Sequence, residues 1–358
     1  MPESDNAPVY RKILVIRTDR LGDVILSLPV LTALKNSFPA VHVSMMLRTY
    51  TAELVAGYPD VDEIITLDDK TELNSFSDIR YYANLLKKKK IDTVLVLHPT
   101  FKLALLCALA KIPVRVGTGF RAYSFLFNKK VFHHRKKAQK HELEYNLELA
   151  EKIGASLKQI EFKIQIPEPI SQEIHNFLHQ VRENEKQPVV ILHPGSGGSA
   201  MDWPLQNFAS LNDQLRSELN VLTIVTGGPN EIGLIDNLIS QTKNPPVKWI
   251  GNSGLKHLAA LIQAANVFVA NSTGPLHLAV AVGTPVVGFY CPIIPCLPKR
   301  WGPYGHLESV LMPPVEPCQK CASPKCNHNN CMELITVESA FGLIKKKIQN
   351  NPKNRFLK

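Results

Sequence analysis

Short apolar runs alternate along the chain with longer stretches of helical periodicity. KILVIR at 12–17 reads as a buried strand, and 23–36 as the helix that follows it. Further strands are predicted at 42–47, 63–67 and 93–97, and a helix over 142–153 closes the first half. Strand-rich runs separated by helical patterns predict βαβ units and a parallel sheet. Pro167, Pro169 and Pro188 surround a polar helical patch that reads as an interdomain connection. The alternation restarts with VVILH at 189–193; strands follow at 221–226, 248–250, 267–270 and 285–289. Helices are predicted to begin near Pro204, Asn230, Leu255 and Pro275, with a last one over 337–349. The pattern predicts an α/β chain of two tandem doubly wound, Rossmann-like domains. They span 1–170 and 189–336, with a linker at 171–188 and a C-terminal helix and tail at 337–358. Ligands in such folds sit at the carboxyl ends of strands, and two domains facing each other form a central cleft.

Composition narrows the class. The 358 residues are 45% hydrophobic and 20% charged, an ordinary globular balance that excludes a disordered chain. The stretch 258–298 contains no Asp, Glu, Lys or Arg and is long enough to cross a bilayer. It also carries Asn266, Asn271, Ser272, Thr273, His277 and several prolines, so it reads as the buried centre of a parallel α/β domain. The opening MPESDNAPVYRK has no apolar core for a signal peptide, so a cytoplasmic location with reduced thiols is expected.

Charge is uneven. The net charge is +10, and between Asp92 and Glu142 there are ten basic residues and no acid: Lys102, Lys111, Arg115, Arg121, Lys129, Lys130, Arg135, Lys136, Lys137 and Lys140. A block of one sign attracts anionic ligands or a membrane surface. No nucleic-acid motif accompanies it, so nucleic acid is not a predicted partner.

Four segments carry candidate chemistry, each at a predicted strand-to-helix junction. In RTDRLGD (17–23), Gly22 permits a tight turn and Asp23 is either an N-cap or a general base for a substrate hydroxyl. A helix amino end would stabilise the Asp23 carboxylate and weaken it as a base. HPGSGGS (193–199), followed by Asp202-Trp-Pro204, has the layout of an anion cradle, offering Ser196, Gly197, Gly198 and Ser199. In TGGPNE (226–231), Glu231 either accepts from ribose hydroxyls or decorates a first helical turn. In NSTGPLH (271–277), Ser272, Thr273 and Gly274, ahead of Pro275, present hydroxyls and N–H groups to a diphosphate. His277 reads as a donor-side residue or a structural histidine. Neither GxGxxG after the first strand nor GxxxxGK[ST] is present, which disfavours a simple dehydrogenase and a P-loop enzyme.

From KILVIRTDRLGDVILSLPVL to CMELIT the chain resembles glycosyltransferase family 9, the heptosyltransferases of lipopolysaccharide assembly; RLGD and NSTGPLHLA are the most specific segments. The resemblance implies a GT-B fold, with the acceptor on the N-terminal domain and the nucleotide-sugar donor on the C-terminal one. It implies heptose transfer from ADP-heptose to the lipopolysaccharide inner core, with inversion and without a metal or other cofactor in catalysis. Asp23 matches the family's catalytic base, Glu231 its ribose-binding acid, and Thr273 and Gly274 its diphosphate-binding turn. Arg20, Gly22, Arg121, Lys129, Lys130, Arg135, Lys136 and Lys137 are then expected to hold the anionic acceptor at the inner-membrane surface. Two positions depart from the better-known members: Met201 stands in place of a donor-contacting Lys, and Ser272 in place of an Asp. Met201 cannot neutralise phosphate. Arg20 could supply the charge instead, or the donor is a different nucleotide sugar. The competing readings are a sugar-nucleotide epimerase and a non-catalytic nucleotide-sugar or lipopolysaccharide-binding protein.

Cys318, Cys321, Cys326 and Cys331 form C-x2-C-x4-C-x4-C within 318–331, with His328 inside. The first pair has zinc-knuckle spacing, so a structural zinc competes with a reduced Cys-rich loop. Cys107, Cys291 and Cys296 lie in apolar stretches and are expected in the core.

Overall fold

The computed structural model describes residues 10–68, 73–156, 158–250, 254–321 and 330–351. Two compact units emerge. The first is Met1–His133 with Glu142–Gln165; the second is His134–His141 with Ile166–Lys358.

The first unit is built on β1 (Lys12–Ile16), β2 (His42–Arg48), β3 (Glu63–Leu67), β4 (Thr93–Val96), β5 (Val114–Thr118) and β6 (Lys129–Val131). They form one sheet in the order β3-β2-β1-β4-β5-β6, every pair parallel. Consecutive residues of a strand face opposite sides. Ile13 and Val15 therefore join a core with Val43, Met45 and Leu95, while Leu14 and Ile16 join a second core with Met46, Val94 and Val96. A sheet buried on both faces explains why KILVIR reads as a continuous apolar run.

The second unit repeats the plan with β7 (Val189–His193), β8 (Leu222–Gly227), β9 (Val247–Ile250), β10 (Val267–Asn271), β11 (Val286–Phe289) and β12 (Val310–Leu311). Its order is β12-β11-β10-β7-β8-β9, again all parallel. Strand order reverses between β1 and β4 and between β7 and β10, the topological switch points where such sheets bind ligands. The charge-free run 258–298 holds β10, β11 and the helix Gly274–Ala281, as its composition predicts. Among the described residues no helix is long and apolar enough to cross a membrane.

Local structure departs from or adds to these expectations in four places. The predicted helix at 23–36 is two helices, Leu21–Ile25 and Leu28–Ser37, because Pro29 in the first turn of the second has no N–H to continue the ladder. The stretch read as a linker is mostly the helix Glu168–Val181. It buries Ile174 and Leu178, an i,i+4 pair, and sets Glu173 3.1 Å from His257 on the helix Gly254–Ala264. β6 is an edge strand whose lysine pair masks it in the sequence. The C-terminal helix Val337–Asn350 buries Ala340, Phe341, Ile344 and Ile348 in the core beneath β7, β8, β10 and β11.

Candidate active site

In the first unit the chain leaves β1 into a buried ionic cluster. The Arg17 guanidinium is 1% exposed, and it meets Asp19 (2.7 Å), Asp23, Glu142 (3.4 Å) and the Asn146 carbonyl oxygen (3.1 Å). Three carboxylates surround one guanidinium, and they hold its pKa up against the opposing effect of burial. Asn146 also donates to the Leu26 carbonyl (3.1 Å), and the Ser27 hydroxyl to that of Asp23 (2.7 Å), tying the short helix to Glu142–Glu151. Arg48 holds the preceding loop through the Thr18 carbonyl (2.6 Å), and Tyr50 through that of Asp19 (3.1 Å). His98, just past the end of β4, lies 3.5 Å from Asp19.

Asp23 is the third residue of Leu21–Ile25, and Arg20 occupies the N-cap, so the capping reading of Asp23 does not hold. The expectation of a weakened base changes as well. Burial pushes the Asp23 carboxyl up to about 6; Arg17 pulls it down, and the like charges of Asp19 and Glu142 push it up. Desolvation and two neighbouring anions outweigh one cation and a five-residue helix.

The second unit collects its polar groups at the ends of β7, β8 and β10. His193, the last residue of β7, is buried and its Nδ1 meets the Thr226 hydroxyl at 2.9 Å. Burial lowers its pKa to about 4 despite the neighbouring Glu231, so the imidazole is neutral at physiological pH. In the loop that follows, Gly197 and Gly198 take φ of +56° and +72°, and the Ser199 N–H closes the turn on the Ser196 carbonyl (3.1 Å). Two successive positive φ values need glycine. Glu231 accepts from the Gly228 N–H (2.8 Å), and its carboxylate lies over Gly195, where a Cβ would collide with it. Asn271 joins the two sides of the switch point: its Oδ1 accepts from the Trp203 N–H (2.8 Å) and its Nδ2 donates to the Pro194 carbonyl (2.6 Å).

Past β10, Thr273 is the N-cap of Gly274–Ala281, with Pro275 in the first turn. The Ser272 N–H donates to the Phe289 carbonyl (3.0 Å), and its hydroxyl bonds the buried Tyr290, whose own hydroxyl donates to the Trp301 carbonyl (2.8 Å). His277 is buried and its pKa falls to about 3, chiefly through desolvation and also through nearby His141. Met201 packs half-buried against the core of Trp203, Phe208 and Phe289.

The predicted donor residues Ser196, Gly197, Gly198, Ser199 and Glu231 thus follow the neighbouring strands β7 and β8, and Ser272, Thr273, Gly274, Pro275 and His277 follow β10, beside β7. Of the predicted acceptor residues, Arg20 and Gly22 precede Asp23 on the same turn, while Arg121, Lys129 and Lys130 sit on the β5–β6 side of the first sheet. Arg135, Lys136 and Lys137 form a turn that groups with the second unit. Sequence reasoning missed Glu142, Asn146, His98 and Tyr290. The one trace of the first two was a helix predicted to begin at Glu142.

The zinc expectation gains no support. Cys326 and His328 lie outside the described residues, and Cys321 is exposed while Cys331 is buried. Cys318 pairs through its backbone with Pro292 (2.9 Å) and Ile294 (2.8 Å). Among the described residues no three His, Cys, Asp or Glu side chains are placed to hold a metal. Cys107 and Cys291 are buried as expected; Cys296 is half-buried.

Comparison with known proteins gives the family and the fold. The chain is similar to the lipopolysaccharide core heptosyltransferase OpsX of Haemophilus influenzae, 25% identical over 97% of this chain and 99% of that protein. Its fold is similar to that of a family 9 glycosyl transferase from Veillonella parvula, at TM-score 0.82 and 23% identity over 96% and 99% of the two chains. It also resembles the Escherichia coli ADP-heptose lipopolysaccharide heptosyltransferase II, at TM-score 0.76 and 22% identity over 94% and 98%. The two parallel six-stranded units are those of the GT-B fold. A model of glycosyltransferase family 9 (heptosyltransferase) matches residues 79–332, well over half of the chain, and the protein belongs to that family.

Proposed function

We propose that this glycosyltransferase transfers a heptose from ADP-heptose to the inner core of lipopolysaccharide, with inversion. The observation that carries the reading is Asp23: a carboxyl at a strand's carboxyl end, held near pH 6 by burial and two neighbouring anions. That value suits a general base working near neutrality. The acceptor hydroxyl attacks the anomeric carbon and gives its proton to an Asp23 carboxylate oxygen. The bond to the diphosphate oxygen breaks, and ADP leaves with the electron pair. Glu231 accepts from the ribose hydroxyls, and the amino end of Gly274–Ala281 takes the diphosphate charge, which stabilises the leaving group as it forms. Arg20 and the basic block hold the phosphates of the acceptor, which places the enzyme at the inner face of the membrane.

A second reading is favoured by two observations: Met201 faces the core and Ser272 is engaged with Tyr290. Under it the transferase takes another nucleotide sugar. Calorimetry against ADP, UDP and GDP compounds separates the two. We expect ADP-heptose selectivity and a loss of affinity of roughly ten- to a hundredfold in Glu231→Ala, the effect of losing hydrogen bonds to a charged acceptor. Preference for a UDP or GDP sugar replaces the donor. Unchanged ADP affinity in Glu231→Ala sinks the ribose role.

A further inference from the structure

Two cysteines of the second unit take no part in the chemistry above. β11 ends at Phe289, and Cys291 follows at the carboxyl end of the strand. Cys296 closes the turn Ile294–Cys296, its N–H donating to the Ile293 carbonyl (2.7 Å). The segment between them is pinned. Cys318 donates its N–H to the Pro292 carbonyl (2.9 Å) and accepts from the Ile294 N–H (2.8 Å), and the Trp301 indole donates to the Pro295 carbonyl (3.0 Å). Held this way, C-x4-C folds back on itself and the Cys296 thiol donates to the Cys291 sulfur.

The Cys291 sulfur sits among hydrogen-bond donors, not in a purely apolar gap. It accepts from the Cys296 S–H and from the backbone N–H groups of Met201 and Ile293. The Cys296 bond pulls the Cys291 thiol down to about 6; burial opposes it, and the two N–H groups add to it. The same bond pushes the Cys296 thiol up. Cys107 in the first unit is the contrast: it is as fully buried, and burial pushes its thiol up to about 12. The thiolate is the form that reacts with oxidants. Cys291 is buried and Cys296 half-buried. Their hydrogen bond lets the proton pass between the sulfurs, so the anion can form on the one that solvent reaches.

We propose that Cys291 and Cys296 are an oxidation site, closed into a disulfide by hydrogen peroxide, and that closure loosens the 194–203 loop. With its proton passed to Cys291, the Cys296 sulfur attacks one peroxide oxygen. The O–O bond breaks, and the leaving hydroxide takes the Cys291 proton to become water. The Cys291 thiolate then attacks the Cys296 sulfenic acid at sulfur. The S–O bond breaks, the S–S bond forms, and the second hydroxide takes a proton from solvent. Two thiols are oxidised and one peroxide is reduced to two waters. The consequence runs through Met201, whose N–H exchanges an anionic sulfur for a neutral one that accepts only weakly. An effect on donor binding rests on the donor site proposed above; the disulfide needs no donor, so the two can fail separately.

The test is peroxide treatment of the reduced full chain, then alkylation, digestion and mass spectrometry. The expected product is a peptide holding both cysteines, lighter by two hydrogens and alkylated at neither, which dithiothreitol returns to two alkylatable thiols. Cys107→Ser should form it as the wild type does. Cys296→Ser should not, and Cys291→Ser repeats that loss from the other side in case one variant folds poorly. Calorimetry with ADP should show affinity roughly tenfold lower in the oxidised protein, the effect of weakening one hydrogen bond to a charged acceptor, and dithiothreitol should restore it. Two alkylated thiols after peroxide overturn the oxidation site. So does a Cys296–Cys318 cross-link in its place, or oxidation of Cys291 that dithiothreitol does not reverse. A disulfide that leaves ADP affinity unchanged overturns the loosening of the loop. If the reduced protein binds no ADP, the donor reading fails, and the peptide masses still decide the oxidation site.

Discussion

Replacing Asp23 by Asn is expected to lower kcat by roughly 10²–10⁴-fold, the usual contribution of a positioned general base. Nucleotide-sugar affinity should not change, because the donor residues belong to the other unit. In the wild type, kcat should rise as Asp23 loses its proton near pH 6. Glu142→Gln removes one of the like charges that hold this carboxyl up, so the rise should move to lower pH. Stability should respond in the opposite sense. The folded-state pKa of about 6 lies above the usual 3.8, so the protein is favoured with Asp23 protonated. That contribution is complete below the ordinary carboxylate range and is lost as pH rises through 6. Asn cannot ionise, so Asp23→Asn should be more stable than wild type above pH 6, by about 1–3 kcal/mol. The gap should close as pH falls towards 4. Rate profiles and thermal melts across pH 4–8 check both. A variant that keeps turnover, or a stability gain independent of pH, would remove Asp23 from the role of buried base.

How much of this was visible in the sequence depends on what each feature requires. Strands buried on both faces announce themselves as apolar runs, and VVILH and VFVAN were legible for that reason. β6 was not, because an edge strand can carry Lys129 and Lys130. The site segments were legible because they sit where strand patterns end and small residues begin. Their electrostatics were not. Glu142 and Asn146 lie more than 120 positions from Arg17, and only the packing of Glu142–Glu151 brings them there. In the sequence Asp23 read as an N-cap or a base weakened by its helix; in the fold, burial, with the like charges of Asp19 and Glu142, pushes its carboxyl up to about 6. Tyr290 illustrates the same limit, since nothing local links it to Ser272. Met201 shows the converse: its departure from the family's Lys was plain in the sequence, but its half-buried place in the core was not.

Asn271→Ala is expected to cost both stability and donor binding. The Asn271 side chain is fully buried, and it satisfies two backbone groups that have come from the far side of the switch point. Alanine leaves the Trp203 N–H and the Pro194 carbonyl without those partners. An unmet buried polar group costs about 1–3 kcal/mol, so the pair should cost about 2–6 kcal/mol. Trp203 would not simply drift free: its ring stacks on Phe289 at 4.1 Å and its indole N–H donates to the Ile335 carbonyl (2.8 Å). Relaxation should therefore fall on the other end of the clip, at Pro194 and the Gly197–Gly198 turn. That turn is a proposed donor contact, so affinity for the nucleotide sugar should fall beyond what the unfolded fraction explains. Asn271→Asp separates geometry from bonding. It keeps the acceptor for the Trp203 N–H but turns a carboxyl oxygen towards the Pro194 carbonyl, where a bond forms only with the carboxyl protonated. Its deficit should therefore shrink as pH falls, whereas that of Asn271→Ala should lack this rescue. Denaturant titration with calorimetry at two pH values reads both effects. Full donor affinity in a folded Asn271→Ala protein would mean that the 194–203 loop does not depend on the clip for its shape.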